Sequence, residues 1–186
     1  MEKRTAKPGR IALVGLPASG KSSIGSALAK RLGLPFVDLD ERIVAGAGRS
    51  IAEIFRVDGE GAFRQLEGEF LDQATSGGKL VLSTGGGCVL APGNRRVLRE
   101  RCTVVWLDLR PEAAATRAGA GGKKSDGRDA QAPAVRPLLA DGDLLERMQA
   151  LDAIRRPLYR ECADIVIQVE GKTPVAIVEE LHAAMD

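Results

Sequence analysis

The 186-residue chain is short of the residues that build several common kinds of site. It has one histidine, His182, and three cysteines, Cys88, Cys102 and Cys162, with no CxxC spacing. A zinc site or a disulfide framework is therefore not expected, and reduced, partly buried thiols in a cytoplasmic protein are. Aromatics make up 3% of the chain, so its core must be mainly aliphatic. The net charge of +2 lacks the basic excess of a dedicated nucleic-acid binder. The longest aliphatic stretch near the start, IALVGL, is far too short to cross a membrane. The beginning, MEKRTAKPGR, is basic but has no apolar segment of signal-peptide length behind it. Residues 1–10 read as a tail, and 11–186 as one domain.

What is present is an alternation of short aliphatic runs with helical patterns. Strands are expected at Ile11–Val14, Phe36–Val37, Leu80–Leu82, Thr103–Leu107 and Ile165–Val169. Helices are expected at Lys21–Leu32, Glu41–Gly46, Ser50–Phe55, Glu60–Ala74 and Pro174–Met185. Fully aliphatic strands alternating with helices mean a parallel sheet covered on both faces, so the fold class is α/β. Ala118–Ala134, AGAGGKKSDGRDAQAPA, breaks the rhythm with almost no large apolar residue. It reads as a mobile lid over about residues 118–137.

Between the first strand and the first helix stands GLPASGKSS, which fits GxxxxGK[ST] over Gly15–Ser22. Such a loop converges backbone N–H groups on phosphate oxygens, and the next helix adds its positive end. Ala18, Ser19, Gly20, Lys21, Ser22 and Ser23 are the expected ATP-binding stretch. Lys21 should reach the β- and γ-phosphates, and the Ser22 hydroxyl should ligate Mg²⁺. No guanine-reading NKxD occurs, and the size favours a small-molecule kinase.

The second strand runs into Asp38-Leu39-Asp40. On extended chain these two carboxylates point the same way, at the strand end where open α/β sheets bind ligands. One suits Mg²⁺ through water; the other suits an acceptor hydroxyl and its proton. Asp40 also fits a plain helix N-cap before Glu41. Arg64 has the i+3 spacing of an ordinary helix-surface pair with Glu67. Gly85, Gly86 and Gly87 follow the third strand and suit either close approach to a ligand or a loose turn.

Taken together, GLPASGKSS, DLDERI, DGEGAFRQLEGE, STGGG, VRPLL and RRPLYRECADI occur in the order found in shikimate kinases. The chain resembles that family over nearly its whole length. The resemblance implies a P-loop kinase fold with a five-stranded parallel sheet, ATP as phosphoryl donor and shikimate as acceptor at its 3-hydroxyl. It implies that Arg64 and Arg155 clamp the acceptor carboxylate, for which a planar guanidinium is suited. Gly86 then donates a backbone N–H, Asp40 orients the attacking hydroxyl, and Asp38 assists the metal through water. Phe55 and Phe63 match two pocket aromatics, and simple core packing fits them equally. Arg136, before Pro137-Leu138-Leu139, matches the arginine that closes over the transferred group. Arg117 matches one that packs on adenine, although a solvated helix-end charge fits as well.

Three departures from the family pattern stand out. The stretch between Arg117 and Arg136 is long, Ala18 replaces a common glycine, and Asp108 ends the fourth strand without matching a metal ligand. Arg95, Arg96, Arg99 and Arg101 read as a solvated helix face. A gluconate kinase or a ligand-sensing module are the nearest rival readings. A monomer acting on shikimate and ATP, without nucleic acid or membrane, is expected.

Overall fold

A computed structural model of the chain describes residues 9–121 and 143–185. Five strands form one sheet: β1 (Arg10–Val14), β2 (Phe36–Asp38), β3 (Leu80–Ser83), β4 (Thr103–Asp108) and β5 (Ile165–Gln168). Their order is β2-β3-β1-β4-β5, and every pairing is parallel. The central strands are apolar throughout because both faces are covered: Ala12, Leu13, Val14, Val104, Val105 and Leu107 are all 0% exposed.

Eight helices are present among the described residues. They are α1 (Lys21–Leu32), α2 (Leu39–Ala47), α3 (Ile51–Val57), α4 (Gly59–Ser76), α5 (Pro92–Arg101), α6 (Pro111–Gly121), α7 (Leu144–Cys162) and α8 (Pro174–Met185). A short 3-10 turn covers Cys88–Leu90. Helix α1 packs on β3 and against α8, while α5 and α7 pack on β4. Of the segment read as a lid, 118–121 belong to α6, which continues the helix begun at Pro111. The rest, including Arg136, lies outside the described residues.

Helices α2, α3 and α4 form the outer layer beside β2 and β3. Ser50 caps α3 in a full capping box with Glu53. Gly59, at φ 83°, turns the chain straight from α3 into α4. Helix α2 meets α4 closely enough that a Cβ on Gly46 would lie 2.1 Å from the Phe70 ring. That contact leaves no room for a larger residue, so the crossing sets where α4 carries Arg64.

The expectation for Asp38 and Asp40 needs correcting. Helix α2 starts at Leu39, so the alternation of an extended chain stops at Asp38. The cap is Asp38, whose Oδ1 accepts from the Asp40 N–H at 3.0 Å. Asp40 sits inside the first helical turn and is free of capping duty, and its carboxylate points elsewhere.

Candidate active site

The chain leaves β1 at Val14 and wraps into α1 through three left-handed positions: Gly15 (φ 146°), Ala18 (φ 62°) and Gly20 (φ 92°). A Cβ at Gly15 would come within 2.6 Å of the Leu107 carbonyl oxygen, so the loop hugs the end of β4. Ala18 is the one non-glycine residue with positive φ among the described residues. It carries the strain that the glycine at this place in related loops avoids.

Lys21 is buried within the loop it serves. Its Nζ donates to the Gly15 and Leu16 carbonyl oxygens at 2.9 and 2.8 Å, and lies 3.4 Å from Ser19 Oγ. The ammonium thus sits in the hollow of the loop, where a phosphate would meet it. Ser22 Oγ donates to Asp38 Oδ2 at 2.6 Å and lies 3.3 Å from Ser83 Oγ. A hydroxyl and a carboxylate beside a phosphate loop are hard oxygen donors suited to Mg²⁺. They are few, as befits an ion that takes most of its shell from phosphate and water. Among the described residues, no group of three or more Asp, Glu, His or Cys is arranged to hold a metal ion by itself. Ser23 is exposed at the start of α1.

One strand over, β3 delivers Thr84 and the glycine triplet. Thr84 N–H and Oγ1 both donate to the Leu13 carbonyl oxygen, at 3.2 and 2.9 Å, which ties this turn to β1 beside the phosphate loop. Each glycine faces a different charged side chain. A Cβ on Gly85 would lie 2.8 Å from Asp40 Oδ1 and 3.1 Å from Glu67 Oε1. On Gly86 it would lie 3.3 Å from Arg155 Nη1 and 3.2 Å from the Pro17 ring. On Gly87 it would lie 2.5 Å from Arg64 Nη2. Four charged residues from α2, α4 and α7 therefore close on one short backbone segment, and only glycine lets them do so.

Arg64 projects from α4. Its Nη1 donates to Glu67 Oε2 at 2.8 Å, and its Nε and Nη2 reach the exposed Glu60 at 3.3 and 3.2 Å. The helix-surface pair read from sequence exists, but it is buried: the side chains are 17% and 1% exposed. Burial pushes the Glu67 carboxyl above its ordinary range, against the pull of Arg64 and Arg155. Burial also acts against the Arg64 charge, but Glu67 and Glu60 outweigh it and hold the guanidinium firmly protonated. Glu67 Oε1 is buried with no hydrogen-bond partner among the described residues. Phe63 is buried and Phe55 half-buried; their rings lie 4.7 Å apart, and Arg64 stands 5.2 Å over Phe63. Phe63 belongs to the core and Phe55 packs against it.

Arg155 is 4% exposed, on α7. Its neighbour Arg156 makes a different set of contacts: Nη1 and Nη2 fork onto Asp108 at 3.2 and 2.8 Å, and Nε bonds Asp152 at 2.7 Å. Gln168 also donates to Asp108 at 2.8 Å. Asp108 is thus committed to tying β4 to α7 and β5. Arg117 Nη2 bonds the Val169 carbonyl oxygen at 3.2 Å from an exposed position on α6.

All three cysteines are free and fully buried. Burial raises the Cys88 thiol well above its ordinary range, and nearby Glu67 and Asp40 push the same way, so it stays protonated and unreactive. The α5 arginines are mostly paired: Arg95 and Arg99 with Glu161, and Arg101 with Asp72. His182 is half-buried in the last turn of α8.

Glu67 and Tyr159, whose hydroxyl donates to the Gly86 carbonyl oxygen at 2.6 Å, lie within motifs of the sequence but receive no site role from them. Glu67 registers in the sequence only as a helix neighbour of Arg64. The missed signal is its place in the buried stripe Phe63, Glu67, Leu71, Ala74 of α4. Tyr159 gives the same signal in the stripe Met148, Asp152, Arg155, Tyr159, Cys162 of α7.

A protein-family model described as shikimate kinase matches residues 17–186. A shikimate kinase of Symbiobacterium thermophilum is 42% identical over 171 residues, covering 92% of each chain. One from Paracidovorax citrulli is 46% identical over 178 residues, covering 94% of this chain and 90% of its own. Among solved structures, shikimate kinase from Acinetobacter baumannii in complex with shikimate superposes with a TM-score of 0.84 at 33% identity. The match covers 97% of this chain and 93% of that one.

Proposed function

The chain belongs to the shikimate kinase family, and we propose how its own residues transfer the γ-phosphoryl of ATP to the 3-hydroxyl of shikimate. The observation that carries the reading is the closure of Asp40, Arg64 and Arg155 on the glycine triplet, one strand away from the phosphate loop.

The donor side is Gly15–Ser23. Its backbone N–H groups and the start of α1 receive the phosphates. Lys21 exchanges its carbonyl partners for β- and γ-phosphate oxygens. The Ser22 hydroxyl, and Asp38 indirectly, would hold Mg²⁺, which would supply neutralisation of phosphate charge.

The acceptor carboxylate lies between Arg64 and Arg155, with Glu67 holding Arg64 in place. The glycine N–H groups add donors to it. Asp40 accepts a hydrogen bond from the 3-hydroxyl and takes its proton as the new O–P bond forms and ADP leaves. Phe55 and Phe63 cover the apolar side of the ring. By sequence order alone we assign Arg136 to the transferred group and Arg117 to the adenine. Both sides of the reaction are furnished by one chain, which supports a monomer as the working form. Three free thiols favour a reducing compartment such as the cytoplasm.

The test is ADP release by purified protein with Mg-ATP, alone and with shikimate or gluconate. Stimulation by shikimate and not by gluconate is expected. ATP binding without stimulation by shikimate would refute the acceptor assignment and leave the donor site standing.

A further inference from the structure

The glycine triplet has the freedom to rotate its peptides, yet it must present N–H groups in one direction. Its three carbonyls are all engaged. The Gly85 oxygen accepts from the Cys88 N–H at 3.1 Å, and the Gly87 oxygen from the Leu90 N–H at 2.9 Å. Those two bonds belong to the turn itself. The middle one does not: the Gly86 oxygen accepts from the Tyr159 hydroxyl at 2.6 Å, from a residue 73 positions away on α7.

Tyr159 is built to hold that bond. It is 1% exposed, and its ring packs against Trp106 of β4 with centroids 6.0 Å apart. It stands one helical turn after Arg155, on the same face of α7. That single face therefore brings a guanidinium and a hydroxyl to the same glycine. In a trans peptide the C=O and N–H point opposite ways, so anchoring the Gly86 oxygen toward α7 aims the Gly87 N–H away from it. Among the described residues, neither the Gly86 nor the Gly87 N–H donates to a backbone carbonyl.

We propose that Tyr159 is a positioning residue for the acceptor. Its hydroxyl stops the Gly86–Gly87 peptide from flipping and keeps the Gly87 N–H turned to the substrate, while the Cys88 bond to the Gly85 oxygen fixes the peptide that carries the Gly86 N–H. The proposal rests on the acceptor assignment made above. It adds a determinant of acceptor affinity that touches neither substrate nor phosphate.

The test uses Tyr159→Phe, which keeps the ring and its packing and removes only the donor. Leu181→Ala in α8, away from the triplet, serves as a control for general destabilisation. Wild-type protein is first assayed for shikimate-dependent ADP release; none would overturn the acceptor assignment and this proposal together. With that activity in hand, Tyr159→Phe is expected to raise the KM for shikimate roughly tenfold, with the KM for ATP within about twofold of wild type. An unchanged shikimate KM, or a rise matched by Leu181→Ala, overturns the role of Tyr159 alone. Should the phenylalanine variant not fold, amide hydrogen exchange on the wild type decides. Slower exchange at Gly86 and Gly87 on adding shikimate supports the proposal, and no change refutes it.

Discussion

Substituting Glu67 by glutamine separates the clamp from the fold. Glutamine keeps the volume of a 0% exposed side chain, so the packing of α4 should survive. What changes is the bond to Arg64 Nη1, now 2.8 Å to an ionised oxygen. A hydrogen bond to a charged group contributes about 1.5–3 kcal/mol net, and a neutral one about 0.5–1.5 kcal/mol. The hold on Arg64 therefore weakens by roughly 1–1.5 kcal/mol, leaving only the exposed Glu60 as a full ionic partner. If the acceptor carboxylate must then gather a looser arginine, its KM rises by roughly five- to twelvefold. Stability should move the other way or hardly at all, because an ionised oxygen with no partner is no longer buried. The pH dependence adds a second readout. Burial raises the Glu67 carboxyl in the folded state, so its contribution to stability is complete below its ordinary value of 4.5 and is lost as pH rises through the folded value. Glutamine has no such loss. Melting curves from pH 4 upward should show the variant gaining on wild type as pH increases. Initial rates at saturating ATP and varied shikimate give the KM. An unchanged KM together with a lower melting temperature at neutral pH would show that Glu67 serves packing only, and the reasoning fails.

Asp40→Asn should lower kcat by roughly 10²–10⁴-fold while ATP binding, read by calorimetry, stays near wild type; comparable turnover removes Asp40 as the base. Gly85→Ala places a methyl 2.8 Å from Asp40 Oδ1, so shikimate turnover should fall sharply with the ATP KM retained, and normal kinetics would show that the triplet tolerates a side chain. Arg156→Ala removes the fork onto Asp108 and the bond to Asp152. It should cost about 1–3 kcal/mol in denaturant unfolding, since two largely buried carboxylates lose a partner. Unaltered stability would make that network incidental.

How much of this is legible in the sequence depends on what each element buries. The central strands β1, β3 and β4 are short and mainly apolar because both their faces are covered, and their positions follow from that alone. The phosphate loop is equally plain, since its spacing is dictated by backbone geometry. Helix α7 is not plain. Its buried stripe has the right period but contains Asp152 and Arg155, so charge stands where a hydrophobic pattern needs an apolar residue. Pro157, inside the same helix, interrupts the signal again. In α4 the charge at Glu67 hides the stripe in the same way. At Asp38 a cap and a strand end share one residue, and starting the helix at Leu39 instead of Glu41, two positions earlier, redirects Asp40. Charges inside packed faces are what sequence periodicity reads least well, and here they include Arg64, Glu67 and Arg155, which we assign to the acceptor side.

The pairing of β1 with β3 has a consequence for how the protein can change. Leu13 is in register with Ser83, and Thr84 bonds back to Leu13. The phosphate loop and the glycine turn thus leave adjacent rungs of one ladder, and the gap between donor and acceptor is a property of the sheet. The charged side chains we assign to the acceptor, Asp40, Arg64 and Arg155, sit elsewhere, on α2, α4 and α7. Substitutions on those helices can therefore alter the contacts around the glycine turn while its spacing from the phosphate loop stays set by the sheet.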